Sequence, residues 1–177
     1  RASGVNTHVE VRNGGSIREA GIAIQSNNNA RITTSTSATF LDNFIGLQIN
    51  NSLGGAQISV QRTTFGTLTA TVLKTVPTSL IGLYPVNTPN TLSRGYTGIE
   101  VNNSTNVAIQ STGNNTNANF FTKLECGIFS FNSSMTLVYN QFTNCNKTGG
   151  GSQLVERRGW GSYYRNTSTT THAYAIG

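Results

Sequence analysis

The chain is 177 residues long, 36% hydrophobic and only 10% charged, with a net charge of +6. That length carries one domain with a real core. So little charge, beside abundant Thr, Val, Ile, Phe and Tyr, argues against a disordered chain and points to strands rather than helices.

The charge excess comes from few acids, 6 against 12 bases, and the bases are scattered apart from Arg157-Arg158. Nucleic-acid binding wants a patch or stripe, so no nucleic-acid partner is expected. The overall sign suits anionic glycans or cell envelopes only weakly. No run approaches the roughly 18 apolar residues of a membrane-spanning helix. No signal peptide is visible, and the start at Arg1-Ala-Ser-Gly-Val reads as a mature or trimmed product, or a piece of something longer.

A phrase recurs along the chain: Gly, an aliphatic residue, any residue, another aliphatic residue, then Asn or Ser. Gly21-Ile22-Ala23-Ile24-Gln25-Ser26-Asn27 is the first copy and Gly46-Leu47-Gln48-Ile49-Asn50 the second. Gly98-Ile99-Glu100-Val101-Asn102 and the looser Gly127-Ile128-Phe129-Ser130-Phe131 follow. A second phrase comes after a short polar link, as in Ala30-Arg31-Ile32-Thr33, Ala56-Gln57-Ile58-Ser59-Val60 and Asn106-Val107-Ala108-Ile109-Gln110. A third carries Phe near its start: Phe40, Phe65, Phe121 and Phe142. Each repeat therefore holds about three short strands in about 25 residues.

The spacings between the repeat glycines are 25, 52 and 29. The middle one is close to two repeats, which predicts a degenerate coil somewhere in 66–83 and an irregular insertion within 66–97. Pro77, Pro85 and Pro89 all fall there, where they damage a central strand least.

A strand of three to five residues cannot bury its apolar face alone. Stacking a copy about 4.8 Å above it completes the hydrogen bonds and covers the side chains. The expected fold is all-β: a parallel β-helix of about six or seven coils, with three strands per coil. Gly and Asn are expected at the corners, where positive φ is needed, and the asparagines after the Gly phrase are expected to stack as a ladder. A β-sandwich, with Gly14-Gly15 and Gly54-Gly55 as hairpin turns, explains the constant offset less well.

The β-helix is expected over 1–148. The stretch 149–177 departs from the repeat after Gly149-Gly150-Gly151 and carries Trp160, Tyr163, Tyr164 and Tyr174 in a Thr-rich tail. It reads as a cap, a strand crossing a neighbour, or the start of another domain. Those four aromatics are candidate contacts for a partner chain or a sugar.

The segments GIEVNNSTNVAIQ (98–110), FTKLECGIFSFNSS (121–134) and NQFTNCN (140–146) resemble the right-handed parallel β-helix, or pectin-lyase-like, superfamily. Its members include pectate lyases, polygalacturonases and phage tailspikes. The resemblance covers about 10–148 and implies right-handed coiling and an extracellular or cell-surface setting. The Asn- and Thr-rich texture resembles bacterial secreted or surface members more than catalytic ones.

Enzymes of that resemblance use clustered carboxylates. This chain has one Asp, Asp42, and five Glu: Glu10, Glu19, Glu100, Glu125 and Glu156. Alternation turns Ile99 and Val101 inward, so Glu100 is expected to face solvent. Gln48 holds the matching position, but a coil is expected between the two. Glu100 and Glu125, about one coil apart, form the best candidate acid pair, with Lys123 and Arg94 able to complete a lyase-like group. Solvated surface is the simpler reading of all four. No Asp-x-Asp pair suits calcium, and His8 and His172 lack metal-ligand spacing, so no metal or cofactor is expected.

Cys126 and Cys145 lie 19 residues apart. They read either as a disulfide, if the last coil is short, or as two free thiols in the stack. Asn-x-Ser/Thr triplets begin at Asn50, Asn102, Asn103, Asn114, Asn132, Asn146 and Asn166, in a composition where chance supplies several.

The expected function is that of a non-enzymatic extracellular structural or adhesive solenoid, a fibre subunit or a segment of a larger surface protein. Its partners would be further copies stacked end to end, or a glycan or cell-surface molecule. The alternatives are a polysaccharide lyase or glycoside hydrolase fragment and a non-catalytic carbohydrate-binding module.

Overall fold

The computed structural model describes residues 1–53, 58–68, 74–75, 91–92, 95–105, 107–111, 117–145, 160–167 and 174–176. Three short strands make each turn of the chain. The first turn holds β1 (Ala2–Ser3), β2 (His8–Val11) and β3 (Ser16–Arg18). The second holds β4 (Ile22–Asn27), β5 (Arg31–Thr34) and β6 (Ala38–Leu41), and the third β7 (Ile45–Asn50), β8 (Ile58–Val60) and β9 (Thr63–Gly66). An excursion follows, containing an antiparallel pair, β10 (Lys74–Thr75) and β11 (Thr91–Leu92). The fourth turn is β12 (Gly95–Asn102), β13 (Val107–Gln110) and β14 (Asn119–Thr122). The fifth is β15 (Leu124–Phe131), β16 (Met135–Val138) and β17 (Asn140–Thr143). The last strands are β18 (Trp160–Arg165) and β19 (Tyr174–Ile176).

Strands of equal phase stack in parallel into three sheets. The first sheet runs β1-β4-β7-β12-β15-β18, the second β2-β5-β8-β13-β16-β19 and the third β3-β6-β9-β14-β17. This is a right-handed parallel β-helix of five to six coils. The expected degenerate coil is not there. β7 pairs directly with β12, β8 with β13 and β9 with β14, so the long glycine spacing is one coil plus an excursion from the stack. In the tail, β18 extends the first sheet over β15 and β19 extends the second over β16.

The core lies inside the coil. Ile24, Leu47, Ile99 and Ile128 of the first sheet meet Ile32, Ile58 and Ile109 of the second. The third sheet contributes a column of rings, Phe40–Phe65–Phe121–Phe142, with centroids 5.0, 5.1 and 5.0 Å apart. That spacing follows the interstrand repeat, so identical residues at one phase stack without any change of rotamer. Each such pair adds about 0.5–1.5 kcal/mol beyond area burial.

The corners use left-handed backbone, through Gly4 and Gly14 in the first turn and mostly through non-glycine residues after it. Asn28, Asn51, Asn103 and Asn132 turn the chain from the first sheet to the second, all with φ between 46° and 54°. Arg62 and Tyr139 turn it from the second to the third, and Asp42, Lys123 and Asn144 from the third back to the first. Asparagine tolerates this region, whereas Arg and Tyr are strained by about 1–2 kcal/mol. Arg62 is exposed, and its backbone carbonyl accepts from Ser37 N at 3.0 Å. Arg62→Asn should therefore raise the unfolding free energy by about 1 kcal/mol, read as a higher urea midpoint at unchanged slope.

Gly21 falls two positions out of phase, since Ile22 pairs with Ile45 and Ile24 with Leu47, which sets Ala23 opposite Gly46; the other repeat glycines serve a different need. A Cβ on Gly98 would lie 2.7 Å from Gly127 O and 2.8 Å from Phe121 Cδ1; one on Gly46 would lie 2.6 Å from Gly98 O and 2.7 Å from Phe65 Cδ1. They permit close approach between coils and the phenylalanine column.

Candidate functional site

The outer side of the first sheet carries the candidate acids. Leu47, Ile49, Ile99 and Val101 belong to the core, so Gln48 and Glu100 turn to the other side of their strands. The direction expected for Glu100 is correct, but its exposure is not: Glu100 is 3% exposed and Gln48 6%. The two are also direct neighbours in register, since no coil separates β7 from β12.

They belong to a hydrogen-bonded network. Gln25 Nε2 donates to Gln48 Oε1 at 2.6 Å, and Gln48 Nε2 donates to Glu100 Oε1 at 3.3 Å. One column over, Asn50 Nδ2 donates to Asn27 Oδ1 and Asn102 Nδ2 to Asn50 Oδ1, both at 3.0 Å. Asn102 Nδ2 also reaches Glu100 Oε1 at 2.8 Å and so joins the two ladders. Past Glu100 the column becomes aromatic, with Phe129 stacked 6.0 Å from Tyr163.

Glu125 is fully buried. Gly95 pairs with Leu124 and Thr97 with Cys126, which sets Glu125 opposite Tyr96, whose ring stacks on Phe44 at 4.9 Å. Glu100 instead pairs with Phe129. The two glutamates are thus one coil and four positions apart, about 14 Å between Cα atoms. They are not stacked, and neither is a solvated surface group. Lys123 forms a positive-φ corner; Arg94 lies outside the described residues.

The remaining candidates divide similarly. Asp42 is a corner residue, 3.1 Å from Arg18 Nη2 and accepting from Leu68 N at 3.2 Å. His8 Nε2 lies 3.2 Å from Thr33 Oγ1, and His172 lies outside the described residues. Tyr163 and Tyr164 are half-buried, Tyr163 on Phe129 and Tyr164 against the core. Trp160 pairs with Cys126 and Tyr174 with Met135 in backbone register. Among the described residues no group of three or more His, Cys, Asp or Glu is placed to hold a metal ion, and no helix is long and apolar enough to cross a membrane.

Cys126 and Cys145 are not joined in a disulfide. Thr122 pairs with Thr143, so Cys145 sits above Leu124, two positions short of Cys126. The resulting Cα separation of about 8 Å exceeds bonding range. Cys126 Sγ lies 3.4 Å from Ile128 O, and Cys145 Sγ 3.5 Å from Phe121 O. Cys126 is buried and Cys145 half-buried. Alkylation of the unreduced, denatured chain should add two labels by mass spectrometry. In the folded chain Cys145 should be labelled first.

Sequence reading foresaw the asparagine ladder and missed the Gln25–Gln48–Glu100 ladder and two others. Ser52 N donates to Ser104 Oγ and Ser104 N to Ser133 Oγ, both at 3.0 Å. Thr34 Oγ1 and Thr63 Oγ1 are 2.8 Å apart, and Thr63 N donates to Asn119 Oδ1 at 3.0 Å. For the serine ladder, the Ser directly after Asn51, Asn103 and Asn132 was the available signal. Of the glycosylation-type triplets, those at Asn50 and Asn102 have their amides in the ladder. Asn103 and Asn166 are exposed, and Asn132 accepts from Thr167 N at 2.7 Å. Asn114 and Asn146 lie outside the described residues. In comparison with known proteins, the chain matches no family model, no curated sequence and no solved structure.

Proposed function

We propose that this chain is a non-enzymatic extracellular scaffold, a structural or adhesive solenoid at a cell surface that continues along its axis into further protein. The observation that carries this is the Gln25–Gln48–Glu100 ladder. The most promising acid is a buried rung whose carboxylate bridges two columns of amides, so it serves cohesion between coils. A retaining or inverting glycosidase needs two carboxyl groups about 5–10 Å apart across an open groove, and Glu100 and Glu125 lack that arrangement. The large rings Phe40, Phe65, Phe121 and Phe129 are buried, which disfavours an aromatic platform for sugars on the described strands. The resemblance to pectin-lyase-like β-helices of the secreted, non-catalytic kind supports the extracellular setting.

The test is turnover. Polygalacturonate and neutral glycans incubated with the chain should yield neither unsaturated products nor new reducing ends above buffer. Turnover that disappears in Glu100→Gln would overturn the reading.

A further inference from the structure

Asn13-Gly14 is the one Asn-Gly pair of the chain. It forms the corner between β2 and β3. Gly15 N donates to Arg12 O at 3.0 Å, and the two central residues have φ of 54° and 77°. This is the arrangement of a type I′ turn, which favours Asn followed by Gly. Both residues are exposed, and a Cβ on Gly14 would meet nothing within 4 Å.

The pair holds an electrophile beside a nucleophile. The side-chain amide carbon of Asn13, Cγ, is open to attack by the backbone nitrogen of Gly14, which has no Cβ to obstruct the approach. The folded corner restrains that attack. Gly14 N donates to Thr36 O of the next coil at 3.0 Å, so its proton is held and the nitrogen is turned toward the neighbouring coil. Ring closure requires release of that bond and of the Gly15–Arg12 bond that fixes the turn. An exposed corner of two residues releases both by a local opening that leaves the core closed.

The asparagine corners between the first and second sheets differ. Asn51, Asn103 and Asn132 are each followed by Ser, and Ser52, Ser104 and Ser133 are fully buried. Ser52 N donates to Ser104 Oγ and Ser104 N to Ser133 Oγ. Freeing those nitrogens means parting the coils.

We propose that Asn13 is a site of spontaneous modification, gated by opening of its corner. The Gly14 N–Asn13 Cγ bond forms, the Cγ–Nδ2 bond breaks, and the proton of Gly14 N leaves with the amide group as ammonia. Water then opens the cyclic imide. Cleavage of the ring nitrogen from Cγ gives aspartate, and cleavage from the main-chain carbonyl carbon gives isoaspartate. Either product adds a negative charge next to Arg12. Isoaspartate also lengthens the backbone by one carbon, so the donors of Gly14 and Gly15 lose their common register with Thr36 O and Arg12 O. The modification therefore keeps the corner open.

The whole chain is incubated in oxygen-18 water, folded or in unfolding urea, and mapped by mass spectrometry, with residues 11–19 released by cleavage after Glu10 and Glu19. Two net hydrogen bonds correspond to conversion about tenfold to a hundredfold slower in the folded chain than in the unfolded one. When the unfolded chain has converted fully at Asn13, the folded chain should carry heavy oxygen there in part, and less at Asn51, Asn103 and Asn132. The aged chain should then unfold at lower urea. An aged Asn13→Gly chain keeps a residue suited to the turn and lacks the reacting amide, so its midpoint should hold.

Equal rates in the folded and unfolded chains overturn the proposal, as does a folded chain with no label at Asn13. So does label that accumulates as fast or faster at any of the three Asn-Ser corners, or an equal fall in midpoint when the Asn13→Gly chain is aged.

Discussion

Gly98→Val is expected to lower the unfolding free energy by about 3 kcal/mol or more. The new Cβ alone would stand 2.7 Å from Gly127 O and 2.8 Å from Phe121 Cδ1, with Leu124 Cδ1 at 3.1 Å. A carbonyl held in a parallel ladder cannot retreat without breaking interstrand bonds, and Phe121 is packed between Phe65 and Phe142. Valine adds two methyl groups to a position with no room for one. Gly14→Ala is the contrasting control. Gly14 has φ of 77° and nothing within 4 Å of its added Cβ, so only backbone strain of about 1–2 kcal/mol applies. Urea unfolding followed by far-UV circular dichroism separates the two. Equal losses would show that conformation, not close approach, selects glycine at 98.

Phe65→Ala should cost about 3–5 kcal/mol. The ring is fully buried and stacks on both sides, 5.0 Å from Phe40 and 5.1 Å from Phe121. Its loss leaves a cavity whose walls are held at the interstrand spacing and cannot collapse. Phe142→Ala at the exposed end of the same column should cost about half as much or less, because Phe142 stacks on Phe121 on one side and is 37% exposed. A similar loss at both positions would mean that the column is not the spine of the third sheet.

The fold was legible because a β-helix repeats its environment. The second to fifth coils place an aliphatic residue at one phase of the first sheet, Ile24, Leu47, Ile99 and Ile128, and a phenylalanine at one phase of the third, Phe40, Phe65, Phe121 and Phe142. Gly46, Gly98 and Gly127 therefore stand at one phase with Phe65, Phe121 and Phe142 at another. The ladder was legible for the same reason, since Asn27, Asn50 and Asn102 are equivalent positions of successive coils.

Periodicity misled where the chain leaves the stack. A spacing of 52 residues is consistent with two coils or with one coil and an excursion, and only strand pairing separates them. That one error broke the contact between Gln48 and Glu100. It also hid the acid's role, because a side chain on the outer face of a sheet is solvated unless something covers it. Alternation fixes direction, not cover. The last strands were not legible as part of the stack because Trp160–Arg165 and Tyr174–Ile176 carry few of the aliphatic residues that mark earlier coils, although their backbone pairing is regular.

The sequence by itself determined the coil: its length, its three strands, and the residues that face inward, because those depend on local alternation and on identity between equivalent positions. The tertiary structure alone decided the register across the excursion, the burial of Glu100 and Glu125, and the separation of Cys126 from Cys145. Each of those depends on which segments of distant sequence become neighbours, and hydrogen-bond pairing and close packing settle that only when the whole stack has formed.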